Sequence, residues 1–318
     1  MRIRFGYVAM STILEDCSPS HTITLSNLMK IDSPVARQRR LAALARINIS
    51  STTRLFHHNR AHDVKVFRLT SKLVPLATHP LLRDWDWLQE LGADLKALGE
   101  LAIRDGLRIS AHPDHFTLLN SPRDEVVQAA IDDLVYHERV LDGMGLDASA
   151  KLVIHVGGSY KEKASAAGRF MENYTRLPDS IKARVVLEND DKSYSAAEVL
   201  QLCREHDIPM VLDIHHHWCL NQGENMEDLL PAVFATWDKE PQPPKVHLSS
   251  RRDEKNIRAH ADYIDPRFFM DFLNVARELG RDFDVMCEAK AKDAALFQLL
   301  QDLAEQGHHF LDQAAIEI

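Results

Sequence analysis

Six short apolar runs in this chain each stop on a histidine or a carboxylate: RISAH at His112, KLVIH at His155, RVVLE at Glu188, PMVLD at Asp213, PKVH at His247 and DVMCE at Glu288. No other feature restricts the fold as tightly. Successive endings are 43, 33, 25, 34 and 41 residues apart, which suits one strand-plus-helix unit per step. Runs of this length, rich in Val and Ile and followed by helical patterns, read as buried parallel strands. A ligand-type residue at the last position of each strand puts six such groups on one rim of a closed sheet. That rim is where (β/α)8 barrels keep their chemistry. One such ending would mean little, but six in succession point to a metal cluster.

Two more runs complete a set of eight, IRFGYVAM at 3–10 and KVFRLTS at 65–71. Amphipathic helical stretches are predicted over 35–61, 85–105, 123–144, 161–177, 195–206, 225–236, 266–279 and 291–305. Ser121-Pro122 and Asp265-Pro266 are helix-start signals, and Gly106 and Gly280 stand where C-terminal caps belong. The fold class is therefore α/β, a single (β/α)8 TIM barrel over 1–295. Residues 296–318 are expected to be a helix end and tail to which no chemistry is assigned. Residues 11–34 and 72–84 exceed the minimal rhythm; both follow strand C-termini and should lie over the rim, where substrate loops sit.

A length of 318 residues is ordinary for one such barrel, and 45% hydrophobic content supplies its core. No stretch approaches the roughly 18 apolar residues of a membrane span. The N-terminus shows no secretory leader pattern, so a cytoplasmic protein, monomeric and without a membrane partner, is expected. Cys17, Cys203, Cys219 and Cys287 form no CxxC pair and read as reduced thiols. A net charge of −9 argues against general nucleic-acid affinity. Bound divalent cations would reverse that sign at the rim. Histidine is over-represented, with 17 copies.

Imidazole and carboxylate donors together suit Zn²⁺, Mn²⁺ or Fe²⁺, and the absence of clustered cysteines argues against a structural zinc site. Glu188 at the barrel centre can bridge two metals, with Asn189 orienting a ligand or substrate; Asp190 and Asp191 read as a turn cluster. In Asp213-Ile214-His215-His216-His217 the strand is ending, and periodicity does not choose among the three histidines. Lys245 and His247 are two apart on a strand and point the same way, into the barrel. An inward lysine is expensive unless its charge is paired or removed. It can pair with Glu288 or another carboxylate, or react with CO₂ to become an anionic ligand. Lys290 faces solvent or a phosphate. His79 and His260 lie in rim loops. His57, His58, His62, His137, His308 and His309 carry no function in this reading.

The motifs FGYVAM, ATHPLLRDWDW, ISAHPDHF, LVIHVGGSYKEK, VVLENDD, VLDIHHH, PKVHLSS, RAHADYI and VMCEAKAKD, in this order, resemble the UV damage endonuclease family from about Arg2 to about Lys292. The resemblance implies a divalent-metal cluster of three ions, Mn first among Mn, Zn, Fe and Co. It implies His112, His155, Glu188, Asp213, His216, His247, His260 and Glu288 as ligands. Lys245 matches a lysine that the family carries in carboxylated form, and His79 and Tyr7 match residues near the scissile phosphate. The implied activity is nicking of damaged double-stranded DNA 5′ to cyclobutane dimers and 6-4 photoproducts. Some members probe the lesion with a Gln-Tyr pair; His115 and Phe116 stand there in this chain. Phe116 retains an apolar ring able to wedge into the stack.

Two other enzymatic readings fit a metal-bearing rim: an abasic-site endonuclease of the related trinuclear barrel type, and a sugar isomerase. Arg68, Lys72, Lys161, Lys163, Arg251, Arg252, Lys255 and Arg258 fall in or beside rim loops and suit phosphates better than a neutral sugar. Non-enzymatic damage binding would not need eight metal ligands.

Overall fold

Eight apolar runs assemble into a parallel sheet that closes on itself, described here over residues 1–318 of a computed structural model. The strands are β1 (Arg2–Val8), β2 (Val66–Leu69), β3 (Arg108–Ala111), β4 (Lys151–His155), β5 (Val185–Glu188), β6 (Met210–Asp213), β7 (Lys245–Leu248) and β8 (Phe283–Cys287). Each pairs in parallel with the next, and β1 pairs with both β8 and β2, which closes the barrel. Closure explains Gly6: a Cβ there would stand 1.9 Å from the Val66 carbonyl oxygen, so no larger residue fits. The first strand ends earlier than its apolar run, because Ala9 adopts a left-handed φ of 57°.

The helices are α1 (Leu25–Leu28), α2 (Pro34–Ala61), α3 (Trp87–Arg104), α4 (Asp124–Gly143), α5 (Lys163–Thr175), α6 (Asp179–Lys182), α7 (Ala196–His206), α8 (Ile214–Cys219), α9 (Met226–Ala235), α10 (Pro266–Arg277) and α11 (Lys292–Glu305). The eight predicted helices are present within a few residues of their expected ends. Ser33 and Asp265 accept hydrogen bonds from the first turns of α2 and α10, each followed by proline. Ser195 and Glu198 form a reciprocal capping box on α7.

Strand alternation divides the core in two. Ile3, Phe5, Tyr7, Phe67, Leu152, Leu187, Leu212 and Val285 point outward into the main cluster of buried apolar side chains under the helices. Each such side chain, fully buried, stabilises the fold by about 1.5–3 kcal/mol. The inward set is polar at both ends. Val153, Val186 and Val211 fill the interior against Trp237, whose indole Nε1 donates to the Met210 carbonyl at 2.6 Å.

The expected boundary at 295 falls inside α11, and the chain beyond it is ordered. β9 (His309–Asp312) and β10 (Ala315–Glu317) form a hairpin, and β10 pairs antiparallel with Arg2–Arg4 of β1. The terminal segment is thus part of the sheet rather than a loose tail. No helix is long and apolar enough to cross a membrane.

Candidate metal centre

Alternation along the strands brings the polar endings together. His155 is directly opposite Glu188 across β4 and β5, and Asp213 opposite His247 across β6 and β7. Glu188 is central. Its Oε2 lies 3.1 Å from His112 Nε2 and 3.6 Å from His155 Nε2, while its Oε1 lies 2.9 Å from His247 Nδ1. His247 Nδ1 is also 3.0 Å from Glu288 Oε1. Two groups of donors result, His112–His155–Glu188 and Glu188–Asp213–His247–Glu288, each with its ligand atoms within 4.8 Å of one another. The Glu188 carboxylate belongs to both.

Asp213 also caps α8, accepting from the His216 backbone N–H at 2.8 Å. The switch from strand to helix at that cap turns His216, three residues on, back toward the carboxylates. Its Nδ1 lies 3.7 Å from both Glu188 Oε1 and Asp213 Oδ2. Its ring packs between those of His155, at 5.8 Å, and His260, at 6.0 Å. His215 turns away and packs against Trp218 and Phe268.

Four imidazoles share one hydrogen-bond pattern. Nδ1 of His112, His155, His216 and His260 faces the backbone carbonyls of Pro113, Glu188, Asn189 and Glu288 at 3.0, 3.3, 3.0 and 3.0 Å. A carbonyl only accepts, so each Nδ1 carries a proton and each Nε2 is the ring atom turned to the site, the orientation that metal-binding histidines require. Asp213 Oδ2 and His247 Nε2 are buried without any hydrogen-bond partner. A buried carboxylate oxygen is rarely left so, and a cation beside Asp213 would satisfy it. The donor set, nitrogen and carboxylate oxygen without thiolate, fits a divalent metal.

The electrostatics agree. Burial alone would raise the Glu188 carboxyl, but His247, His155 and the hydrogen bond from His112 hold it well below the usual carboxylate range. Burial likewise opposes ionisation of Glu288, and Arg68 with His247 overrides it. Asp213 is pushed up to about 6, by burial first, with Glu188 and Glu288 adding to the effect against His216. Burial disfavours the His247 cation, yet Glu188 and Glu288 push that ring up to about 9. A site crowded with acids that stay ionised is one built for positive charge.

Beneath this layer is a second buried polar group. Asp284 accepts from Arg4 Nε at 2.7 Å and from Arg108 Nη1 at 2.6 Å, and Arg108 lies over the Trp237 ring. Lys245 is 2% exposed, and its Nζ donates to Ser110 Oγ across the barrel at 3.0 Å. No carboxylate pairs with it. Burial, then the neighbouring Arg108, lowers the amine far below its ordinary value, against the pull of Asp284.

This geometry has known counterparts, for residues 3–314 match the family described as UV-endonuclease UvdE. The chain belongs to that family. It is an endonuclease. A UV DNA damage endonuclease from Bacillus cereus is 44% identical over 304 residues, which is 96% of this chain and 95% of the relative. One from Bacillus thuringiensis is 43% identical over the same proportions. The crystal structure of SacUVDE superposes with a TM-score of 0.83 at 32% identity, covering 96% of this chain and 99% of SacUVDE. Endonuclease IV from Thermus thermophilus shares the fold, with a TM-score of 0.57 at 15% identity, covering 96% of this chain and 100% of that one.

Tyr7 and Asn189 both hydrogen-bond within the protein. Tyr7 was expected near the scissile phosphate, but alternation along β1 turns it outward, where its fully buried hydroxyl donates to Asn59 Oδ1 of α2 at 2.6 Å. Asn189 was expected to orient a ligand or substrate; its buried amide is bonded to Asp213, accepting from its N–H at 2.9 Å and donating to its carbonyl at 3.0 Å. It braces a candidate ligand. The pairing of Lys245 with Glu288 is also absent, because Arg68 of β2 occupies that carboxylate.

The remaining candidates are at the rim. His115, Phe116, Arg251 and Lys290 are exposed in loops after β3, β7 and β8. His79 Nδ1 accepts from the Leu81 N–H at 3.2 Å, capping a short turn after β2. A cavity of about 330 Å³ opens beside His112, His155 and His216 and extends along His115 to Asp191. Asp190 is the turn cluster expected of it, accepting from the N–H groups of Lys192, Ser193 and Tyr194. Sequence reasoning overlooked Arg68 as a bracing residue and His58 altogether. His58 lies 3.2 Å from Asp293, which also accepts from Ser11 and Thr12 and pins the loop after β1. The inward parity of Arg68 on β2 was the available signal for the first; none existed for the second.

Proposed function

We propose that this chain nicks double-stranded DNA on the 5′ side of UV photoproducts, both cyclobutane dimers and 6-4 photoproducts, using a cluster of divalent ions. The observation that carries this reading is the single Glu188 carboxylate common to two donor groups. A shared carboxylate is what adjacent metal sites need, and the further donors His216 and His260 beside them suit a third ion. Manganese is the first choice, with Zn, Fe or Co accepted by the same donors. When bound, such ions polarise a phosphate and activate water for in-line attack.

The chain's own residues supply the rest. His112, His155, Glu188, Asp213, His216, His247, His260 and Glu288 would hold the ions, with backbone carbonyls fixing four of the rings. Arg68 holds Glu288 in place. Lys245, kept neutral in the barrel interior, is a nucleophilic amine. Adding to CO₂ with loss of one proton would make it an anionic carbamate one inward position below His247. His79, with Nε2 free, is placed to meet the backbone at the rim.

The rim also suits a DNA substrate. Phe116, Tyr160, Trp218 and Tyr263, the exposed Phe, Tyr and Trp side chains, all fall in segments that follow a strand C-terminus, Trp218 in the short helix α8. Phe116 is 55% exposed, with its ring edge-on to that of His115 at 5.6 Å, which suits a probing wedge. A crosslinked dimer stacks poorly and is cheaper to unstack than an intact step, which favours the lesion without base readout.

The test is cleavage of three duplexes, one with a cyclobutane dimer, one with a 6-4 photoproduct and one with an abasic site, in the presence of Mn²⁺. Nicking 5′ to both photoproducts is expected. Cleavage of the abasic duplex alone would overturn the assignment in favour of an abasic-site enzyme.

A further inference from the structure

A second groove flanks the metal centre on the side of β6 and β7. It is a cavity of about 440 Å³ walled by His215, Trp218 and Phe268, with Ser250, Arg251 and Asp271 among its polar groups. A neighbouring cavity of about 430 Å³ continues it and shares Trp218, Phe268 and Asp271. Neither has a lining residue in common with the cavity beside His115, except that His215 adjoins His216 in the chain.

Trp218 is the residue to explain. Its ring is 43% exposed, whereas Trp85, Trp87 and Trp237 are buried. The His215 ring lies near it, centroids 6.2 Å apart and planes 26° apart, and the Arg251 guanidinium lies over the ring, 5.3 Å from its centre. Arg251 forms no ion pair, although most arginines around it do. An exposed indole next to a guanidinium without an ion-pair partner is the composition of a platform on which a base stacks while its phosphate is neutralised.

The platform is mechanically tied to the metal centre. Arg251 pairs with His260 in an isolated antiparallel bridge, and hydrogen bonds on either side join Arg252 to Ala259 and Ala261 to Ser250. His215 packs at 5.6 Å against His260. A base on Trp218 would therefore be one side chain away from the ligand set. Phe116 follows β3 and Trp218 follows β6, so the site residues His155 of β4 and Glu188 of β5 stand between them. If the lesion is engaged at His115 and Phe116 and the cut falls 5′ to it, the groove lies on the far side of the scissile phosphate.

We propose that the Trp218–Arg251 groove binds the undamaged nucleotide immediately 5′ of the cut, stacking its base on Trp218 and holding the strand end that cleavage releases. This rests on the proposed function, since it takes the position of the cut from it. Trp218 and Arg251 act here as positioning residues for substrate.

The test places 2-aminopurine at that 5′ nucleotide in a duplex with one cyclobutane dimer and an uncleavable methylphosphonate at the scissile position. Binding of the metal-loaded wild-type enzyme should quench its emission, and Trp218→Ala should abolish most of that quenching. On the cleavable duplex, Trp218→Ala should raise KM by about tenfold, from loss of one stacked base, with kcat and metal content little changed. Trp218→Phe should restore both readouts in large part. Equal quenching and equal KM in wild type and Trp218→Ala would overturn the proposal, as would quenching only when the label sits 3′ of the lesion. A wild-type enzyme that leaves the photoproduct duplex intact would instead reject the proposed function, so the two failures are separable.

Discussion

Glu188 and His247 are in contact through Oε1 and Nδ1 at 2.9 Å, and both side chains are almost wholly buried. The other oxygen of the same carboxylate faces His112. Replacing Glu188 with Gln keeps the volume but removes the charge shared by the two donor groups. Metal content should fall together with activity, and activity should fall by more than the roughly 10- to 100-fold typical of losing an outer partner of a metal ligand. Metal analysis by mass spectrometry beside a nicking assay reads both. Full retention of metal and rate in Glu188→Gln would remove the bridging role.

Asn189 supports a different kind of prediction, because its side chain touches only the backbone of Asp213. Asn189→Ala leaves the buried Asp213 N–H unpaired, at about 1–3 kcal/mol. Metal affinity should drop by about 10- to 100-fold through misplacement of Asp213. DNA binding by the metal-saturated variant should be unchanged. If titration instead shows normal metal affinity and weakened DNA binding, Asn189 meets substrate after all.

The contrast between Asn189 and Glu188 shows what could be read from sequence. Strand endings are governed by period-two alternation and by apolar content, so Glu188, His155, Asp213, His247 and Glu288 were legible as a converging set. Alternation also assigned Lys245 to the interior. It says nothing about direction once a strand gives way to a helix, so among His215, His216 and His217 only the family resemblance singled out His216, and the Asp213 cap supplies the physical reason. Asn189 and Tyr7 show the reverse limit: a polar group beside a site looks functional in sequence, but its hydrogen-bond partner is set by tertiary packing. The terminal hairpin was illegible because its partner, β1, is about 310 residues away in the chain.

Lys245 offers a chemical check. A neutral amine held by Ser110 in the barrel interior should take up CO₂ when metals are present to stabilise the carbamate. Native mass spectrometry of the metal-loaded protein should show a gain of one carboxyl group that disappears in Lys245→Met. A fully metallated, active enzyme with an unmodified amine would count against carboxylation.

Phe116 is predicted to act on substrate and not on the fold. Its exposure means that Phe116→Ala should change stability by less than about 0.5 kcal/mol. Loss of a stacking ring weakens nucleic-acid contacts by about 1–3 kcal/mol, so kcat/KM on a dimer-containing duplex should fall roughly 5- to 100-fold with metal content unchanged. Undiminished nicking would dismiss it as a wedge.

The buried pairs of Asp284 with Arg108 and Arg4 give the acid limb of the stability profile a particular origin. Burial alone would raise the Asp284 carboxyl, but Arg108 and Arg4 hold it below its ordinary value of 3.8. A carboxyl depressed in the folded state contributes stability that is fully present above the unfolded value and is lost as pH falls through the folded one. Wild-type stability should therefore decline below about pH 4 as the unfolded chain takes up this proton more readily than the folded one. Asp284→Asn strands Arg108, whose Nη2 already lacks a partner, and should lower stability at neutral pH by about 3–5 kcal/mol. Because the variant has no carboxyl to titrate there, its acid limb should be shallower. Urea unfolding of both proteins between pH 3 and pH 7 measures the two slopes, and parallel limbs would show that Asp284 is not what makes the barrel floor sensitive to acid.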